Sequence, residues 1–224
     1  MGIASVTAIS VIALSLFLSM PSDMTPNETN FTNSQNNDNP IVAEVNGQEI
    51  RLEDVQDAVN METSQGQMTD NVTALERMIA KILLLEEAQA RNVSLTMDEV
   101  EDEITSMYVQ SGLSQEQFEE KLEEIGTTYD QTLKMYREEL IINKMLADEI
   151  SKTELQISDE EVRKVFDDNK DVIMAQMGNS TVFDDISSQL KTTLLQEKQQ
   201  KIALDIIEHL KDKSVVITYE DRLK

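Results

Sequence analysis

The chain contains no cysteine and no tryptophan, and it has little proline, glycine or histidine. Without cysteine, disulfide bonds and thiolate metal sites are excluded. Aromatic residues make up only 4% of the sequence, so a buried core must consist mainly of aliphatic side chains and methionine. The three prolines are Pro21, Pro26 and Pro40. Because none follows Pro40 and glycine is scarce, we expect long helices from Ile41 onward.

Basic residues are also few, since 19 Lys and Arg stand against 43 Asp and Glu, and the formal net charge is −24. Such a chain should be repelled by nucleic acid and by anionic lipid surfaces, so nucleic acid is not expected as a partner. The negative charge is compatible with two roles. It could attract basic, unfolded polypeptides, or it could mainly keep the protein soluble.

Residues 3–20 form an apolar run without a charged side chain, just long enough to span a bilayer. No Lys or Arg precedes the run and its end lacks a good cleavage site, which favours an uncleaved membrane anchor over a cleaved signal peptide. Both alternatives imply export. Residues 21–40 are rich in Asn, Ser and Thr, which indicates a disordered linker. Sequons, which give mild further support for an extracytoplasmic location, begin at Asn27, Asn30, Asn71, Asn92 and Asn179.

The chain is organised around a helix predicted over residues 72–90. Its apolar residues recur at helical spacing at Leu75, Met78, Ile79, Ile82, Leu83 and Leu85. Leu84 lies off this stripe, so the middle of the helix is apolar on nearly all sides and should be central to the fold. Asn92 can end the helix, because Asn tolerates the left-handed conformation. Thr96 and Glu99 have the spacing of a capping box, which predicts a second helix over 97–110.

Two shorter helices are predicted from similar signals. The first spans 52–61, with Leu52, Val55 and Val59 on one face. The second begins after Ser114, which forms a capping box with Gln117, and ends at Gly126.

The second half of the chain is also predicted to be helical. Residues 128–152 carry two apolar stripes, which requires packing on two sides. Ser158 and Glu161 form another capping box. Residues 171–181 lack a clear period and are expected to be an irregular junction. Residues 182–212 form a long helix, in which the polar segment QEKQQK separates two apolar patches.

Three short strands complete the prediction. Residues 41–50 read IVAEVNGQEI, and Asn46-Gly47 is the preferred turn of a type I′ β-hairpin. An isolated hairpin is only marginally stable. The other good strand candidate is 214–219, SVVITY, so we predict that it pairs with 41–45 and brings the two ends of the ordered chain together.

This order of elements resembles the SurA/PrsA family of extracytoplasmic chaperones. The resemblance rests on LLLEEAQARNVSLTMDEV, GLSQEQFEEKLEEIG, YREELIINKML, ISDEEVRKVFDDNK and the tail LKTTLLQEKQQKIALDIIEHLKDKSVVI. It implies a mostly α fold, like the N-terminal domain of SurA, with a small β-sheet formed by an N-terminal hairpin and a C-terminal strand. Residues 41–224 would then be one chaperone domain, with 41–170 as the main part and 182–219 as a returning helix and strand.

Many members of that family carry a parvulin prolyl-isomerase domain between these two parts. Here the gap of 170–182 is too short for a domain, which needs about 50 residues. Parvulin active sites also use histidines, whereas His209 is the single histidine of this chain. The resemblance therefore implies the chaperone part without the isomerase, and no enzyme activity is expected.

The sequence shows no catalytic, metal-binding or phosphate-binding motif, so no cofactor is expected. Its abundant carboxylates are typical of solvated helix surfaces, and DDNKD lacks the spacing of a calcium loop. His209 is interpreted as an exposed or partly packed helical residue.

Binding of another molecule is the remaining class of function. The twelve methionines are candidate binding residues because the thioether adapts to varied apolar partners. The candidate polypeptide-binding residues are Met107, Tyr108, Met135, Met145, Met174 and Met177. Met174 and Met177, in the predicted irregular junction, are expected to be exposed. The alternative that methionines fill an aromatic-poor core stays open for each position.

Three functions follow as hypotheses. The first is an ATP-independent holdase, tethered outside the membrane, that binds unfolded or nascent exported polypeptides in an apolar helical cradle. The second is an anchored acidic module that docks one folded surface partner. The third is a prolyl isomerase, which the short gap and the missing histidines oppose.

Overall fold

The computed structural model of the chain describes residues 39–64, 68–124, 127–153, 155–177 and 182–223. The strands are β1 (Ile41–Val45), β2 (Gln48–Arg51) and β3 (Val216–Thr218). The helices are α1 (Leu52–Ser64), α2 (Asn71–Ala90), α3 (Met97–Gln110), α4 (Gln115–Glu124), α5 (Tyr129–Lys152), α6 (Asp159–Asp168), α7 (Lys170–Met177) and α8 (Phe183–Lys213), followed by a 3-10 turn at Glu220–Arg222. The predicted anchor at 3–20, nearly all of the linker at 21–40 and the sequons at Asn27, Asn30 and Asn179 lie outside the described residues.

The mostly α fold with a small sheet is confirmed. The sheet is antiparallel with the order β2-β1-β3. Asn46 and Gly47 join β1 to β2 with φ of 51° and 91°, the two positive angles that a type I′ turn requires. The predicted pairing of the C-terminal strand is also confirmed, with Glu44 opposite Ile217. Glu44 and Ile217, which are distant in sequence, therefore lie side by side in the sheet.

The described chain divides into two compact units. Unit 1 comprises residues up to Met145 together with Ile207 onward, and unit 2 comprises Leu146–Ile206. The boundaries fall inside α5 and α8 rather than in loops. Each unit is described separately below.

The core of unit 1 lies between the sheet and helices α1 and α2. Its fully buried residues include Val42, Val45 and Ile50 from the sheet and Val55 from α1. Five of the six stripe residues predicted on α2 are buried and Leu85 is half-buried, while Leu84 on the other side is 0% exposed, so the prediction of a helix covered nearly all round is confirmed. This helix is therefore the central element of the unit.

The C-terminal residues complete the same core. Leu223 is 6% exposed and belongs to the core cluster of β1 and α2. Its carbonyl accepts a hydrogen bond from Asn71 Nδ2 at 2.7 Å, and Tyr219 N–H donates to Val42 O at 2.8 Å. Lys211 on α8 forms an ion pair with Glu76 on α2. The last residues of the described chain are thus structural parts of the N-terminal sheet.

One buried charge joins α1 to α2. Glu62 is fully buried, and its Oε2 accepts a hydrogen bond from Arg77 Nη1 at 2.5 Å. A buried carboxylate is costly without a cationic partner, so this pair fixes how the two helices pack. At the start of α1, Asn39 Oδ1 accepts from Glu53 N–H at 3.0 Å, which shows that the end of the predicted linker caps this helix.

Unit 2 is built from the end of α5, α6, α7 and the first part of α8. Val162 and Phe166 on α6 are buried, and Ile186 on α8 is also buried. The rings of Phe166 and Phe183 meet edge to face with centroids 5.6 Å apart. Lys198 Nζ donates to Glu161 Oε1 at 2.8 Å and to Gln156 O at 3.1 Å, which ties α8 to the start of α6.

One expectation for this region is wrong. Residues 171–181 are not all irregular, because Lys170–Met177 form α7 directly after α6. The segment DVIMAQM has few residues that disfavour a helix, but its weak apolar period concealed the helix. In the polar segment QEKQQK of α8, Gln199 is buried, with 8% of its surface exposed.

Candidate functional site

Three aromatic rings from three helices meet in unit 1. Tyr108 of α3 stacks on Phe118 of α4 with centroids 5.3 Å apart, and Phe118 meets Tyr129 of α5 edge to face at 6.4 Å. Tyr108 is buried, while Phe118 and Tyr129 are each half-buried. We call these three residues the aromatic cluster. It rests on the buried residues Val100, Ile104 and Leu133, so the rings are held on a rigid base.

Local signals in the sequence place the three helices. Each has a capping box at its start: Thr96 with Glu99, Ser114 with Gln117, and Thr128 with Gln131. Such a box satisfies two backbone N–H groups that no helical carbonyl can reach. The third box was not predicted, although Thr128 and Gln131 have the required spacing.

The turns that end α2 and α3 also fix the site. Asn92 and Gly112 have φ of 57° and 75°, and the next residue in each turn donates back to the helix, Val93 to Ala88 O and Leu113 to Tyr108 O, both at 2.9 Å. This is the Schellman pattern of helix ends. Because glycine and asparagine adopt a positive φ at low cost, the chain can turn sharply here and return α4 alongside α3.

The loop before α3 is held by α5. Arg137 Nε donates to Leu95 O and Lys144 Nζ donates to Ser94 O, each at 3.1 Å. On the other side, Lys81 of α2 forms an ion pair with Glu138 of α5 at 2.7 Å. These contacts fix α5 against α2 and α3.

The surface of α3 and α4 is strongly acidic. Residues 97–124 contain a single basic residue, Lys121. Their carboxylates, which we call the acidic surface, are Asp98, Glu99, Glu101, Asp102, Glu103, Glu116, Glu119, Glu120, Glu123 and Glu124. In the described part of the chain, no ion pair joins any of them to a cation. Lys144 of α5 acts on Glu99, but the surface as a whole carries a large excess of negative charge.

The pKa values of two tyrosines near the acidic surface are raised. Burial, followed by the charge of Glu101 and the influence of Tyr108 and Glu119, raises the pKa of the Tyr129 phenol. Burial, followed by Glu103 and Glu139, raises the pKa of Tyr136. Two carboxylates from different helices thus act on Tyr129 at the rim of the aromatic cluster.

A family model described as the SurA-like N-terminal domain matches residues 2–146, more than half of the chain. The chain belongs to this SurA-like family. The match ends next to Met145, where the first segment of unit 1 ends. The predicted resemblance is thereby confirmed.

A solved structure supports the SurA-like fold. It comes from work that describes the virulence factor PEB4 and the periplasmic protein Cj1289 of Campylobacter jejuni as two structurally related SurA-like chaperones. It matches with a TM-score of 0.60 at 13% sequence identity, covering 81% of this chain and 99% of that chain. A search of curated proteins finds no match.

The six predicted binding residues of this SurA-like chain fall into different environments. Met107 is 39% exposed and Met135 is half-buried, both in unit 1. Tyr108 and Met145 are 8% and 2% exposed, so their side chains belong to the core rather than to an accessible surface. For Met145 the alternative of a core-filling methionine holds, because its side chain is almost completely buried.

The two methionines of the predicted junction lie in unit 2. Met174 is on α7 and is half-buried, which corrects the expectation that it is exposed in irregular chain. Met177 ends the same helix, and its side chain lies outside the described part of the structure. Val172 on α7 is 56% exposed.

The sequence interpretation missed the aromatic cluster. Phe118 and Tyr129 fall in two separate predicted helices, and no sequence pattern connected them. One signal was available, because four of the nine Phe and Tyr residues fall between positions 108 and 136. That concentration in an aromatic-poor chain indicates a local role, although only tertiary packing shows which rings meet.

Within the described ranges, no helix combines the length and apolarity needed to cross a bilayer. In the same ranges, no group of three or more His, Asp or Glu side chains is arranged to hold a metal ion. His209 on α8 is exposed.

Proposed function

We propose that this chain is an ATP-independent extracytoplasmic chaperone that holds unfolded or nascent exported polypeptides through apolar contacts. The observation that carries the proposal is membership of the SurA-like N-terminal domain family over residues 2–146. The solved structure with the same fold comes from proteins described as SurA-like chaperones, one of them periplasmic.

The surface of unit 1 supports this proposal. Phe118 and Tyr129 are half-buried, and Met107 exposes 39% of its surface beside the buried Tyr108. Aromatic rings offer apolar area at low cost in side-chain entropy, and the flexible methionine adapts to different partners. Such a surface suits sequence-tolerant binding of extended chains. The sequence has no glycine-rich phosphate loop, which favours a mechanism driven by binding energy alone.

The test is aggregation of a chemically unfolded client, measured by light scattering with and without the purified chain at near-equal molar ratio and without ATP. We expect clear suppression. Replacing Met107→Gln removes apolar contact area, so about two- to fivefold more protein should be needed for the same suppression.

Met68→Gln is the matched control, because Met68 is fully exposed in the segment before α2 and lies outside the proposed surface. It should leave suppression unchanged. Equal effects of the two substitutions would show that Met107 has no special role. No suppression by a correctly folded chain would contradict the holdase proposal and favour the alternative, an acidic module that docks one folded surface partner.

We further propose that the chain has no prolyl-isomerase activity. Residues 170–182, where a parvulin domain would be inserted, contain α7 and the start of the segment leading to α8. A protease-free assay of prolyl isomerisation with a proline-containing peptide tests this, and a rate above the uncatalysed rate would contradict it.

The location outside the membrane, with residues 3–20 as an anchor or a cleaved signal, also remains a proposal. Determination of the mature N-terminus in the membrane and soluble fractions distinguishes the two. A protein recovered with residues 3–20 intact in the soluble cytoplasmic fraction would contradict both.

A further inference from the structure

The acidic surface carries far more negative than positive charge. Residues 97–124 contribute ten carboxylates and one basic residue over two adjacent helices. Ion pairs found among the described residues, such as Lys81–Glu138 at 2.7 Å and Lys198–Glu161 at 2.8 Å, lie elsewhere, and Lys144 of α5 acts on one carboxylate of the surface, Glu99. Like charges in excess repel one another and oppose folding, unless an external cation is bound.

The aromatic cluster lies within this surface. Phe118 and Tyr129 are half-buried, so each residue keeps some contact with solvent. Glu101 of α3 and Glu119 of α4 lie close enough to Tyr129 for their charges to act on its phenol. Glu119 Oε1 accepts one hydrogen bond, from Gln115 Nε2 at 2.8 Å, and Glu101 is exposed. Carboxylates from two different helices therefore lie near the phenol of Tyr129 in the aromatic cluster.

Aromatic faces and carboxylates attract the same class of group, an organic cation. A Lys or Arg side chain is stabilised over an aromatic ring and by a nearby carboxylate. The chain itself shows the first of these contacts elsewhere, with Arg163 at 4.1 Å from the ring centre of Phe183 and Arg222 at 4.0 Å from that of Tyr219. At Phe118 and Tyr129, by contrast, the adjacent helices supply carboxylates.

We propose that the aromatic cluster and the acidic surface together dock basic, extended segments of polypeptides, with Lys or Arg side chains between the rings and the carboxylates of Glu101 and Glu119. This inference rests on the proposed function and defines its clients as cationic ones. Apolar contact then comes from the rings, and charge complementarity provides selection and faster association. Anionic partners such as nucleic acid are repelled by the same surface.

The test measures binding of three labelled, unstructured peptides to the full chain by fluorescence anisotropy. The peptides share a Gly-Ser background and carry Arg, Gln or Glu at the same positions. We expect the Arg peptide to bind, with affinity that falls as salt is added, and the Glu peptide not to bind. Equal binding of the Arg and Gln peptides would overturn the proposal.

A charge-matched pair of variants separates this surface from general attraction to an acidic protein. The variant Glu101→Gln/Glu119→Gln should weaken binding of the Arg peptide by about fivefold or more. The control Glu197→Gln/Glu208→Gln changes the net charge by the same amount at two exposed carboxylates of α8. It should weaken binding by less than about twofold. Equal losses in the two variants would show non-specific attraction and overturn the proposal.

The outcomes also separate this inference from the chaperone proposal. Suppression of aggregation that is the same for acidic and basic clients, and is unaffected by Glu101→Gln/Glu119→Gln, would leave the holdase intact and overturn the docking of basic segments. Tight, variant-sensitive binding of the Arg peptide without any suppression would support the docking surface and contradict the holdase.

Discussion

Among the described titratable residues of unit 1, Glu139 has the pKa that departs most from its ordinary value. It lies half-buried on α5, next to Glu138, which pairs with Lys81. Burial raises the pKa of Glu139 to about 7, against the opposing attraction of Lys81 and with a smaller contribution from Glu138. The carboxyl group is therefore partly protonated near neutral pH.

The raised pKa of Glu139 makes the free energy of unfolding depend on pH. The folded pKa lies above the ordinary value of 4.5, so the contribution of protonated Glu139 is fully present below about pH 4.5 and is lost as the pH rises through about 7. Glu139→Gln mimics the protonated form. It should raise the free energy of unfolding by about 1 to 2 kcal/mol at mildly alkaline pH and have little effect near pH 4, less than the full shift implies because the group keeps some contact with water.

Urea denaturation at the two pH values measures this difference. The control Glu138→Gln removes the partner of Lys81 and should not stabilise the protein at alkaline pH. A stabilisation by Glu139→Gln that does not depend on pH would contradict the assignment.

At the scale of elements, the capping boxes position the helices that carry the aromatic cluster. Thr96 Oγ1 accepts from Glu99 N–H at 3.2 Å, and Glu99 Oε2 accepts from Thr96 N–H at 2.7 Å. These hydrogen bonds, with the backbone bond first, lower the pKa of Glu99. The start of α3 is thus fixed by side chains about three turns before Tyr108.

Thr96→Ala should lower the free energy of unfolding by about 1 kcal/mol, because the N–H of Glu99 loses its acceptor. Thr96→Ser keeps the hydroxyl and should be nearly neutral. Chemical denaturation of both variants is the measurement. An equal loss for serine and alanine would show that the threonine methyl group, rather than the cap, matters.

Such local signals explain why most elements could be predicted from the sequence. A capping box needs only residues three apart, and the Asn46-Gly47 turn needs only two, so helix starts and the hairpin were predictable. The helix at Lys170–Met177 was not, because its apolar period is weak and it follows α6 after a single residue. The core position of Met145 and the contacts among Phe118, Tyr108 and Tyr129 depend on how several helices pack, which no local pattern contains.

At the scale of the whole molecule, unit 1 is formed by two distant parts of the chain. Strand β3 pairs with β1, and Tyr219 Oη donates to Glu44 Oε1 at 3.2 Å across a separation of 175 residues. The sequence predicted this pairing, since few other strands were available. It gave no sign of the division into two units, because the boundaries lie within the continuous helices α5 and α8.

Leu223→Ala tests how far the C-terminal residues stabilise this unit. Leu223 is 6% exposed in the core of β1 and α2, so the substitution should cost about 2 kcal/mol of unfolding free energy. Ile217→Ala is the control, because Ile217 lies on β3 but is 42% exposed, and it should cost much less. Similar costs for both would show that strand pairing, rather than burial of Leu223, holds the C-terminal segment.

The pairing of β1 with β3 determines when unit 1 can fold during synthesis of the chain. Strand β1 emerges from the ribosome, or from a translocation channel, well before β3, yet the strand that pairs with β1 and the core residue Leu223 come from positions 216–223. Until these residues emerge, one edge of β1 lacks its native strand, and the core of β1 and α2 lacks Leu223. Unit 1 therefore reaches its native state only after residues 216–223 have been delivered, and the preceding part of the unit must remain soluble while it is incompletely folded.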